Sequence, residues 1–173
     1  MLDSFTLYFA SIAIMVVMTL LNFLTWRTNK QISGTLLCIF YPILLLGSVI
    51  GFTLVGDTHN LVIISAASSM MFAASIVHCL SLSQFLNYHG IGFKLLCSVT
   101  AFCTVMLGYY TFFDPSLHER VIASDIQHIA EAGFLLFIFI KYARKPYPNG
   151  SIVYITILTL VALSFIGRSL FMD

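Results

Sequence analysis

The chain reads as an all-α polytopic membrane bundle of six transmembrane helices, and three observations carry that reading. Hydrophobic residues make up 60% of its 173 positions and charged residues 9%, against roughly 45–50% and about 25% in soluble domains. The mean hydropathy is +0.99, and a soluble fold of this size has too little interior to hide that much apolar surface. The apolar residues also fall into six long runs, each close to the roughly 20 residues a membrane-crossing helix needs, with only short polar loops between them.

The predicted spans are 5–25, 34–55, 61–85, 93–113, 121–141 and 151–171, one integral-membrane domain over residues 1–173. The first follows Asp3 with no basic residue before it, so it lacks the n-region of a signal peptide and reads as a permanent helix. The second contains Pro42, which predicts a kink, and the Gly47/Gly51 pair of a GxxxG motif. The third repeats small residues at Ser65, Ser69 and Ala73. Both patterns let helix backbones approach closely, and packing within one chain is the expected use. The fourth ends in Tyr109-Tyr110, the fifth carries ionisable residues inside its apolar run, and the sixth reaches Arg168 near its end. Loops at 27–30, 56–59, 87–90, 114–120 and 144–150 are short enough to make successive helices antiparallel neighbours.

Basic residues set the predicted orientation. Arg27, Lys30, Lys94, Lys141, Arg144 and Lys145 hold or border the loops after the odd-numbered spans, whereas the other side has only Arg120 and Arg168. Both termini are therefore expected outside. Trp26, Tyr41, Tyr88, Tyr109, Tyr110, Tyr142 and Tyr147 cluster near span ends and read as interfacial anchors. Cys38, Cys79, Cys97 and Cys103 lie within apolar runs without a CxxC pair, and so read as small buried hydrophobes. A net charge of +1 without a basic stripe argues against a nucleic-acid partner. No phosphate loop, HExxH, GxSxG or paired-carboxylate motif is present, so the chain is not expected to be an enzyme or to hold a cofactor.

The candidate site lies on the fifth span. Asp125, His128 and Glu131 are spaced i, i+3, i+6 on neighbouring turns and descend from the outer interface toward the bilayer midplane. Ionisable groups in hydrocarbon are costly and mark a site or a paired network. Three readings stand. One is a structural network in which Arg168 pairs with Asp125 and Arg120 joins them. Another is a ligand pocket open to the outside. The third is a metal or haem site, for which one helix supplies only a column of ligands. His78, the other histidine within a span, is expected on the order of 15 Å away along the membrane normal, and reads as a buried histidine bonded to a nearby serine or carbonyl.

The run Tyr110-Thr-Phe-Phe-Asp-Pro-Ser-Leu-His-Glu-Arg-Val-Ile-Ala-Ser124, with Leu2-Asp3 before the first span, Trp26-Arg27 after it and Arg168 near the end of the sixth, resembles the N-terminal membrane regions of bacterial diguanylate cyclases with a GGDEF output domain. The likeness covers nearly the whole chain. It implies a sensor of the bacterial inner membrane that controls cyclic di-GMP synthesis through a seventh helix, a coiled coil and a cyclase domain, none of which lies within these residues. The expectation is thus a truncated sensor region rather than a stand-alone protein. The resemblance also implies a homodimer. The family's fifth helix is largely aliphatic after the arginine and serine, so Asp125, His128 and Glu131 depart from the pattern. The resulting expectation is a sensory module for signal transduction, recognising a small or amphiphilic ligand in its outer half through Arg120, Ser124, Asp125, His128, Glu131 and Arg168. The alternatives are a small transporter with a buried polar site and a haem- or metal-binding membrane protein.

Overall fold

A computed structural model describes residues 4–55 and 60–170, with the side chains of all of these but 4, 5, 7, 8, 55 and 168–170. The chain is 86% helical, and no strand occurs among the described residues. Its helices are α1 (Ser4–Thr28), α2 (Leu37–Val55), α3 (Leu61–Phe85), α4 (Ile91–Phe112), α5 (Leu117–Ile138) and α6 (Pro148–Leu170), with a π-helical segment, Phe139–Ala143, closing α5. Six helices are long and apolar enough to cross a membrane, which makes this a multi-pass membrane protein. The backbone divides into two units, Met1–Ser81 and Leu82–Asp173.

In the first unit α1 packs along α2. Pro42 lies inside α2 and has no N–H to give the carbonyl four residues back, that of Cys38. Asn22 of α1 supplies the missing donor: its Nδ2 lies 2.7 Å from Cys38 O. The turn before α2 places Gly34 at a φ of 88°, where a side chain is disfavoured. Ser81 of α3 donates to Gly34 O at 2.8 Å and lies 2.8 Å from Cys38 Sγ. The GxxxG pair packs within the chain, as expected. A Cβ on Gly47 would lie 2.9 Å from Met70 Sδ, and one on Gly51 2.8 Å from Ala67 Cβ. The small residues that meet α2 are not the expected stripe, however. Ala67 is buried, while Ser69 and Ala73 are exposed, because the contact follows the 67/70 face of α3.

The second unit opens with the end of α3. Asn87 takes a left-handed φ of 53°, Tyr88 N–H donates to Ser83 O and Asn87 N–H to Gln84 O, the paired bonds of a Schellman cap. The cap turns Tyr88 inward rather than toward an interface. It is 7% exposed and packs edge-on to Phe134, Phe137 and Tyr142. Gly90 and Gly92 make the room, since a Cβ on Gly90 would overlap the Tyr88 ring and one on Gly92 would lie 2.8 Å from its hydroxyl. Tyr41, also expected as an anchor, stacks on His78 at 4.3 Å within the first unit.

The start of the fifth helix also departs from expectation. Residues 117–120, read as loop because three of the four are charged or titratable, are helical. Ser116 accepts from Glu119 N–H at 3.3 Å, capping the first turn, and Glu119 sits where an acidic side chain favours the helix dipole. Arg120 is thereby drawn onto the helix, its Nε donating to Ser116 O at 3.2 Å.

Candidate functional site on helix α5

Helix α5 packs against α4 on one side and α6 on the other. Phe134 meets Phe93 of α4 at 6.1 Å between ring centres. His128 stacks on Phe165 of α6 at 4.7 Å, with planes 17° apart, and Phe139 stacks on Tyr154 at 4.4 Å. A helix held from two sides buries more than one face, and this one does so although its sequence is the most polar of the six spans. Its buried residues include Asp125 and Gln127 together with Ala132, Phe134, Leu135 and Ile138.

The expected column splits on the helix wheel. At about 100° per residue, Arg120, Ser124, His128 and Glu131 fall on a stripe roughly 80° wide, and all four are half-buried. On that stripe His128 Nδ1 stands 3.7 Å from Glu131 Oε2, an ion pair when the imidazole is protonated. Asp125 lies off the stripe and is only 1% exposed, an engaged carboxylate rather than a free one. Its expected pairing with Arg168 falls on a side chain outside the described residues.

Gln127 is the residue that inspection of ionisable groups overlooks. It lies about 200° around the helix from Asp125 and is wholly buried. Neither its Nε2 nor its Oε1 has a hydrogen-bond partner among the described residues. An amide in that state forfeits about 1–3 kcal/mol per unmet group, so it is the most costly polar feature of the helix. Its sequence signal was slight: a neutral polar residue beside three titratable ones, on the face opposite the carboxylate.

Among the described residues no three His, Cys, Asp or Glu side chains come together in a group able to hold a metal ion. No family model, characterised protein or solved structure matches the chain.

Proposed function

We propose that this chain is the membrane-embedded sensory module of a bacterial inner-membrane signalling protein, with a diguanylate cyclase as the output it controls. The basic loops face the cytoplasm in this reading, and the α5 stripe from Arg120 to Glu131 lies in the outer half. The observation that carries the proposal is the enclosed, unpartnered amide of Gln127 on a helix that also buries Asp125. A group with one donor face and one acceptor face, held desolvated and unmet, favours whichever ligand or alternative helix packing completes its hydrogen bonds. Differential pairing of this kind is what lets a ligand bias a two-state rearrangement.

Two measurements test it. The coding sequence beyond Asp173 should continue through a further span into a GGDEF domain; a frame without a cyclase removes the output half of the proposal. In cells expressing that full frame, Gln127→Leu should change cyclic di-GMP by several-fold, while Ile126→Val, at an exposed neighbouring position, leaves it unaltered. An unchanged level in Gln127→Leu removes the sensing half. Solute- or proton-driven flux in liposomes containing the chain would favour the transporter alternative instead.

A further inference from the structure

Within the second unit, α4 and α5 do not close along their whole length. Between them lies an open groove of about 360 Å³, walled by Tyr88, Gly92, Leu96 and Val99 on one side and by Ala130, Phe134 and Phe137 on the other. Its surface is almost wholly apolar, and its rim carries bulky exposed residues, Ile91 at 72% and Leu95 at 60%. From Ile91 to Val99 it runs about 12 Å along the helix. The volume falls at the lower end of small-molecule sites, roughly 300–1,000 Å³.

The two ends of this groove differ. At the end formed by the start of α4 and the finish of α5, Lys141 Nζ lies 5.4 Å from the Phe137 ring centre and 5.7 Å from that of Tyr142. Both distances are within cation–π reach, and Phe137 is itself a wall of the groove. Lys94 is exposed in the first turn of α4, between Ile91 and Leu95, and Arg144 and Lys145 follow α5. Residues 87–95 and 134–145 contain no aspartate or glutamate. This end of the slot is therefore cationic, with no nearby acidic side chain in sequence to offset it, and the rest is hydrocarbon-like.

We infer that the α4–α5 groove is a binding site for an anionic glycerophospholipid, its acyl chain lying along Gly92, Leu96, Val99 and Ala130 and its phosphate held at the Lys141 end. The chemistry on both sides matches. A saturated chain fills an apolar slot that neighbouring helices leave unfilled. A phosphate neutralises a lysine that the aromatic rings already hold in place, and basic clusters at span ends are the usual site for anionic head groups. A zwitterionic lipid would fill the slot equally well but gain less at the cationic end.

The test uses the full chain in nanodiscs containing equal phosphatidylcholine and phosphatidylglycerol, followed by native mass spectrometry of the lipid retained after mild delipidation. The wild type should hold phosphatidylglycerol over phosphatidylcholine by roughly fivefold, the factor equivalent to about 1 kcal/mol for one basic side chain at a membrane surface. Lys141→Gln, at an exposed position, should bring the two lipids close to parity while lipid is still retained. Val99→Phe should reduce retention of both lipids, with the helical content by circular dichroism establishing that the variant has folded. Equal retention in the wild type, an undiminished preference in Lys141→Gln, or undiminished retention in folded Val99→Phe would each overturn the inference.

Discussion

The two units solve the same problem differently. In the first, a proline inside a span frees the Cys38 carbonyl, and Asn22 of the neighbouring helix meets it; Ser81 meets Gly34 O in the same manner. In the second, Gln127 is equally buried and nothing described meets it. In a medium without water, an unmet polar group has no bulk solvent to turn to. A paired polar side chain inside a span reports on construction, whereas an unpaired one points to a use. The contrast between Asn22 and Gln127 is sharper than any contrast in their chemistry, since both are neutral amides.

That comparison can be broken or sharpened by substitution, reading unfolding in micelles by circular dichroism. The largest loss should come from Gly51→Leu, because its first side-chain atom already meets Ala67; overpacking of this kind costs about 1–3 kcal/mol, and the added bulk here places it at the upper end. Asn22→Leu should cost about 1–2 kcal/mol by stranding Cys38 O. Most of that loss should disappear in Asn22→Leu combined with Pro42→Ala, where residue 42 regains an N–H of its own. If the loss persists in the double variant, Asn22 is not acting through the proline. Gln127→Leu should have the opposite sign, a gain of about 1 kcal/mol from removing an unmet amide; a loss as large as that of Asn22→Leu would erase the distinction between the units. Ser116→Ala should give the smallest effect, a loss of about 1 kcal/mol at the α5 cap.

Much of the architecture was legible in the chain. Six apolar runs gave six helices, and the GxxxG pair packs within the chain. The errors came from treating charge and position as sufficient signals. Residues 117–120 looked like a loop because they are polar, yet Ser116 followed three residues later by Glu119 is itself a helix-start pattern. Tyr88 looked like an anchor because it stands at a span end, while Gly90 and Gly92 beside it were the sign that a ring occupies that space. The α5 column looked continuous because spacing alone cannot tell which faces of a helix are covered. Only the neighbours on both sides separate Asp125 from the His128–Glu131 stripe and reveal that Gln127 is enclosed.

The π-helical segment at the end of α5 has a consequence for how this chain can change. Arg144 N–H reaches back five residues to Phe139 O at 3.0 Å, so the turn holds one residue more than an α-turn would. Deleting a single codon within 139–143 would let an ordinary helix continue, with everything upstream undisturbed. All that follows would be turned by about 100°. The Lys141 amine would leave its place over Phe137, and the stacking of Phe139 on Tyr154 would be lost. One extra residue thus fixes the aim of the basic end of the helix, and a one-codon deletion is the smallest genetic event that resets it.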